Sequence, residues 1–285
     1  MRAKAESIFV AGDPGRGSEA TLAVTPGLRD CIYGQAVGDA LGVPYEFRAR
    51  GSFTCTGMTG HGTHDQPAGT WLDDTSMALA ICDSYRELGR IDTDDIRARF
   101  RRWYEEGAYT VDGLFDAGGT CARAIREGHG MAGGRDNGNG SLMRTLPLAF
   151  TPATDDEVRA VSAVTHAHPL SCGLCVELVH VARRLMAGAS PTEAAGEYAR
   201  LRERPRHEVR SGGFVRDTFE AALLCLLTTS SYEECVLAAV NLGDDTDTTA
   251  AVAGGLAGIV YGEAAIPVGW LSTLHGRDVI EECLF

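Results

Sequence analysis

The sequence has no apolar run long enough to cross a bilayer, which excludes a helical membrane span. Basic charge is in short supply. Lys and Arg number 26 against 39 Asp and Glu, giving a formal net charge of -13. Nucleic-acid binding usually leaves a basic face, so this balance argues against nucleic acid as a bulk partner. It suits carboxylates gathered around cations. The nine cysteines are an odd number and show no disulfide spacing. Only Cys172 and Cys175 form a C-x-x-C, and without a second ligand pair nearby they are read as packing on a helix rather than holding zinc. The start of the chain lacks the apolar core of a secretory signal, so reduced thiols and a cytoplasmic location are expected. Sustained two-residue alternation is also missing, as is any fixed-period repeat, which excludes a half-buried sheet and a solenoid.

What is present is helical pattern over a chain of 285 residues, long enough to bury a sizeable core. Gly12, Pro14, Gly15, Gly17 and Pro26 interrupt residues 1–26, which are expected to form a flexible or loosely docked arm ahead of one helical domain over 27–285. Helices are expected over 27–42, 75–88, 93–105, 120–127, 155–164, 169–187, from Ser190 to about 203, over 215–228, in the segment reaching Asn241, from Thr249, and near 277–284. Thr154-Asp155-Asp156-Glu157 and Ser190-Pro191-Thr192-Glu193 are capping boxes. Residues 202–212 read as an exposed charged loop. Gly34, Gly38 and Gly42 recur on one face of the first helix, at a cost of ~1 kcal/mol each against alanine, and so predict close approach of a second helix or a ligand. The fold class is therefore all-α, a compact bundle of about ten or eleven helices.

The chemistry concentrates at two helix starts. Asn241–Gly262 opens with Asp244, Asp245 and Asp247, with Thr246 and Thr248 among them, and continues as a small, apolar helix. One Asp suffices to cap a helix. Three against a buried helix repel one another and lose hydration, penalties that hard cations relieve. The same pattern stands in Trp71-Leu72-Asp73-Asp74-Thr75. Adjacent helical residues point ~100° apart. Asp73 and Asp74 thus serve either two neighbouring ions or one ion from a non-helical start. Two clusters meeting in space would make a two-metal site with ions ~3.5–4 Å apart. Glu46, between two aromatics just beyond the first helix, joins them as a fifth carboxylate. The loop 48–70 carries His61 and His64, whose H-x-x-H spacing is read as incidental. Residues 128–140 are glycine-rich and run into Gly138-Asn139-Gly140-Ser141, a loop opening a helix that can present N–H groups to phosphate. His166 and His168 sit in a short joint before the helix from Pro169.

Several motifs occur in order: G-x-x-x-G-D-A-L-G-x-x-Y-E (34–46), W-x-D-D-T-S-M-A-L (71–79), F-D-x-G-x-T (115–120), G-N-G-S-L-M-R (138–144), T-H-x-H-P (165–169), G-F-V-x-x-T (213–218) and N-L-G-D-D-T-D-T (241–248). By these the chain resembles the ADP-ribosylglycohydrolase family, over roughly Leu28 to Leu274. The resemblance implies a compact all-helical domain around a dinuclear site with two divalent cations, Mg²⁺ or Mn²⁺. It implies Asp73, Asp74, Asp245, Asp247, Thr248 and Glu46 as metal ligands, and Glu46, the mobile acid, and Asp74 as catalytic residues. It implies Gly138, Asn139, Gly140 and Ser141 around a diphosphate, His166 beside the ADP-ribose, and Asp116 and Gly118 in the motif near the leaving group. One departure stands out. The family usually has Thr or Ser where this chain has Leu72, and leucine supplies no ligand oxygen. A water or a backbone carbonyl could take its place. The expected activity is metal-dependent hydrolysis of the N-glycosidic bond between ADP-ribose and an acceptor such as arginine. Partners are then an ADP-ribosylated protein or a small ADP-ribosyl or ribosyl substrate, without a membrane, and a monomer is favoured. Two other readings are a hydrolase of a small N-riboside or NAD-derived metabolite, and an ADP-ribose-binding module that Leu72 has made non-catalytic.

Overall fold

A computed structural model describes residues 27–285, so the arm expected over 1–26 lies outside the described residues. Among the described residues there are twelve α-helices and no strand. They are α1 (Leu28–Gly42), α2 (Asp73–Leu88), α3 (Thr93–Glu106), α4 (Gly119–Glu127), α5 (Asp155–Ala163), α6 (Pro169–Met186), α7 (Pro191–Ala195), α8 (Val215–Thr228), α9 (Tyr232–Val240), α10 (Thr246–Tyr261), α11 (Val268–Thr273) and α12 (Arg277–Cys283). None is long and apolar enough to cross a membrane.

The organising pair is α1 and α10. Both are buried along almost their whole length, as expected of helices without a polar face. Their backbones touch. A Cβ on Gly38 would lie 2.1 Å from the Ala250 carbonyl oxygen, and one on Gly42 2.3 Å from the Asp247 Cα. The glycine spacing therefore serves helix contact, and it draws the end of α1 onto the start of α10, where the second aspartate cluster sits. Around this pair α8, α9, α2 and α6 complete the core. Peripheral helices follow their caps. The Asp92 carboxylate accepts from the Asp94 and Asp95 N–H groups at 3.1 Å to start α3, which buries only Ile96, Arg99, Phe100 and Trp103. The capping boxes expected at Thr154 and Ser190 are both formed.

Boundaries differ from expectation at four informative places. The segment after Gly140 is not α-helical but two 3₁₀ turns, Leu142–Arg144 and Leu146–Phe150, because Pro147 has no N–H to continue an α-helical ladder. The helix from Ser190 stops at Ala195, where Gly196 takes φ +56, and 3₁₀ geometry follows over Gly196–Glu203. A short helix, α11, follows Pro267 where none was expected. Finally, α2 starts at Asp73 and α10 at Thr246, so Asp73, Asp74 and Asp247 all lie inside first turns rather than ahead of them. All nine cysteines are free and buried, with Cys172 and Cys175 on α6.

Candidate active site

Three helix ends meet. The Asp39 carboxylate, next to Gly38 on α1, caps α2 from outside it. Its Oδ1 accepts from the Leu72 N–H at 2.9 Å, and its Oδ2 from the Thr75 N–H at 3.0 Å and the Thr75 hydroxyl at 2.7 Å. The Gln35 amide, one turn earlier, donates to the Asp74 carbonyl at 3.0 Å. The Thr246 hydroxyl donates to the Gly42 carbonyl at 2.8 Å, which ties the start of α10 to the end of α1. The positive ends of two buried helices thus face one another across the aspartates, a favourable field for negative charge.

Two carboxylate groups result. Asp39, Asp74 and Asp247 bring ligand oxygens within 4.8 Å of one another, and so do Glu46, Asp245 and Asp247. Asp247 belongs to both. The Thr248 hydroxyl donates to Asp74 Oδ2 at 3.4 Å. Asp73 stands outside both groups, because the next helical residue points away. Its Oδ2 accepts from the Gly118 N–H at 3.4 Å, on the opposite wall of the cavity. Asp39 was missed as a member of the site, since its partners lie more than thirty residues away. The signal available was an acid inside a helix whose glycines mark it as buried.

The electrostatics show what these groups lack. Burial first, and mutual repulsion second, push Asp74 and Asp247 well above the usual carboxylate range. The same causes push Asp73 up to about 7 and Glu46 up to about 9. Burial raises Asp39 to about 6 even against its three donors. One oxygen each of Asp74, Asp245 and Asp247 is buried with no hydrogen-bond partner. Orphaned buried oxygens among crowded carboxylates suit hard divalent cations, which prefer oxygen ligands and reverse the penalty on the charged form. Asp73, Asp74, Asp245, Asp247, Glu46 and Thr248 could hold such ions, with Asp39 added.

Above the carboxylates lies a cavity of about 380 Å³. Asp116, Gly118, Gly138, Asn139, Gly140 and His166 all line it. Ser141 does not. Its hydroxyl accepts from the Ser162 hydroxyl at 2.9 Å behind the loop. The Asn139 side chain is also committed, its amide donating to Asp245 Oδ2 and to Thr218 Oγ1, both at 2.8 Å, so it braces a carboxylate. His166 packs on the two glycines. A Cβ on Gly140 would lie 2.8 Å from its Cε1. Its Nδ1 pairs with the Thr165 hydroxyl at 2.8 Å, which leaves Nε2 facing Gly138. Burial, then the nearby Arg144 guanidinium, lowers His166 to about 3 and keeps it neutral. Arg144 is fully buried and donates to the Gly140 carbonyl and the Thr165 hydroxyl, fixing loop and histidine together. Two further residues are not evident from the chain alone. His64 reaches Glu46, whereas His61 stays exposed against Asp65. Gly213 lines the cavity, and its carbonyl accepts from the Asn139 N–H at 3.0 Å.

Residues 27–284 match the ADP-ribosylglycohydrolase family. The chain belongs to this family of hydrolases. It is 34% identical to an ADP-ribosylarginine hydrolase, Tri1, of Serratia proteamaculans, over 88% of this chain and 76% of that protein. It is 36% identical to the ADP-ribosyl-[dinitrogen reductase] glycohydrolase of Rhodospirillum rubrum, over 85% of this chain and 87% of that protein. A solved structure titled an ADP-ribosylglycohydrolase-related protein complex superposes with a TM-score of 0.77 at 31% identity, covering 89% of this chain and 94% of that one.

In this ADP-ribosylglycohydrolase, Leu72 lines the cavity beside Asp73. Its carbonyl cannot substitute for the missing hydroxyl, because it already accepts from the Ser76 N–H at 3.3 Å and the Ser76 hydroxyl at 2.9 Å. Leu72→Thr is expected to tighten binding of one divalent ion by at least about tenfold, the scale on which even indirect partners of metal ligands act. Calorimetric titration with Mn²⁺ measures this, and an unchanged isotherm would remove Leu72 from the account of the metal site.

Proposed function

We propose that the protein hydrolyses the N-glycosidic bond joining ADP-ribose to an arginine side chain, with the help of two divalent cations, Mg²⁺ or Mn²⁺. The observation that carries this reading is the place of Glu46. Its carboxylate is in reach of the Asp245 and Asp247 oxygens on one side and of Asp116 on the other. The name of one relative, an ADP-ribosylarginine hydrolase, supports the arginine acceptor, and that of the other, an ADP-ribosyl-[dinitrogen reductase] glycohydrolase, supports a protein carrying the modification.

Bound cations would polarise the ribose and lower the pKa of a coordinated water. The rest falls to the chain. The peptide N–H groups of Gly138 and Gly140 hold the diphosphate, and neutral His166 presents Nε2 to the sugar without adding charge. The Asp116 carboxylate receives the guanidinium, which it can pair with bidentately. Glu46 takes or gives the proton at its carboxylate. The residual negative field favours the oxocarbenium-like transition state over the neutral sugar.

The test is release of free ADP-ribose from ADP-ribosyl-arginine in Mg²⁺ or Mn²⁺ and in excess chelator. Metal-dependent release is expected. No release with either ion, alongside retained ADP-ribose binding, would favour the binding-module reading instead.

A further inference from the structure

Glu46 sits among like charges. Burial first, and then Asp245, Asp73, Asp116 and Asp39, favour the neutral form of its carboxylate. Glutamate has three soft torsions, so something must hold it in place. Among the described residues, the one hydrogen-bond partner of its carboxylate is His64 Nε2, at Oε2.

The loop bearing His64 is built onto the Glu46 segment at several points. The Thr63 N–H donates to the Pro44 carbonyl at 3.1 Å, and the Thr63 hydroxyl to the Glu46 carbonyl at 2.6 Å. Gly62 lies at φ +70 so close to Pro44 that a Cβ would come 2.0 Å from the Pro44 carbonyl oxygen. On the other side, Phe47, at φ +64, donates its N–H to the Asp244 carbonyl at 2.7 Å, and Asp244, at φ +58, donates back to the Arg48 carbonyl at 2.9 Å. Two non-glycine residues in the left-handed region hold a bridge that fixes the Glu46 backbone to the segment carrying Asp245. The imidazole is equally confined. It lies between Phe47 and Phe115, with ring centroids 6.1 and 5.6 Å away, and its side chain is only 12% exposed.

We infer that His64 is a positioning residue, whose Nε2 holds the Glu46 carboxyl group between the Asp245–Asp247 pair and the leaving-group side at Asp116. The contact holds in either protonation state, with Nε2–H donating to an ionised carboxylate and the carboxyl O–H donating to Nε2 when Glu46 is neutral. Glu46, His64 and Asp116 bring ligand atoms within 4.8 Å of one another, and Glu46 makes a second such group with Asp245 and Asp247. His64 is therefore the piece that keeps Glu46 at the junction of the two. The inference rests on the hydrolase reading for its kinetic consequence, and on geometry alone for the position of Glu46.

Two variants and two measurements test it. In saturating Mn²⁺, His64→Ala lowers kcat for ADP-ribosyl-arginine by about 10²-fold, the scale of misplacing a reacting group by ~1 Å. KM stays within about threefold, because ADP-ribose is held elsewhere. His64→Gln, which keeps an N–H donor, recovers most of kcat. Crystal structures show the Glu46 carboxylate turned away from Asp245 and Asp247 in His64→Ala and in place in His64→Gln. A His64→Ala enzyme with unchanged kcat, or with Glu46 unmoved, overturns the inference. So does a fall in kcat that comes with equal weakening of ADP-ribose binding and no recovery by glutamine, since that marks a structural role. If the unmodified protein releases no ADP-ribose, the hydrolase reading fails separately, and the crystallographic position of Glu46 decides the role of His64.

Discussion

Asp247→Asn is expected to lower ADP-ribose release by roughly 10³-fold or more while raising the melting temperature of the metal-free protein. The opposite signs share one cause. Asp247 belongs to both carboxylate groups, so its loss weakens any ion held by either. Leu72 offers no oxygen to compensate. Without metal the same carboxylate is a burden. It is 1% exposed, one oxygen has no partner, and Glu46, Asp245, Asp74 and Asp39 all repel it. Asparagine keeps the shape and removes the charge. A gain of about 1–3 kcal/mol is expected in chelator, the usual cost of an unsatisfied buried group, or a few degrees for a domain of this size. Steady-state assays and thermal melts in chelator check both halves. A variant that loses activity and also melts lower would mean that Asp247 is structural first.

In chelator the protein should become less stable as pH rises from about 5 to about 9, and saturating Mg²⁺ or Mn²⁺ should abolish that slope. In the unfolded chain the carboxylates titrate near pH ~4. In the fold Asp39 is raised to about 6, Asp73 to about 7 and Glu46 to about 9, with Asp74 and Asp247 also raised. Between those limits the folded protein binds more protons than the unfolded one, so stability falls with increasing pH. Below pH ~4 both states are protonated and the effect disappears. A tenfold change in a carboxylate's proton affinity on folding corresponds to about 1.4 kcal/mol, and several groups contribute. A loss of several kcal/mol and a drop in melting temperature of order 10 °C are therefore expected. Metal binding requires the ionised forms and so acts in the opposite direction. Equal melting temperatures at about pH 5.5 and about pH 8.5 in chelator would show that the carboxylates are not strained in the metal-free fold.

Much of the helical framework is legible because its signals are local. Asp92, Thr154 and Ser190 cap within three residues of themselves, and apolar periodicity marks the buried faces of α3 and α8. The two aspartate clusters are equally visible, since each lies in one short stretch. Expectation fails where a single residue overrides its neighbours: Pro147 turns an expected α-helix into 3₁₀ turns, and Gly196 ends α7. The role of His64 is hidden for a different reason. The loop that carries it has no periodicity to reveal which way a side chain faces.

The sequence by itself therefore determined the all-helical class, a glycine face on the first helix built for close approach, and the carboxylate chemistry gathered at two helix starts. Those follow from propensity, capping and charge within a few residues. Only the tertiary structure decided which carboxylates share a site. It brought in Asp39, set Asp73 on the far wall, turned the Ser141 hydroxyl away, occupied the Leu72 carbonyl and placed His64 on Glu46. Each of these depends on where a side chain points after helices distant in sequence have packed, and a rotation of ~100° between adjacent helical residues puts Asp74 in a three-carboxylate group and Asp73 beside it.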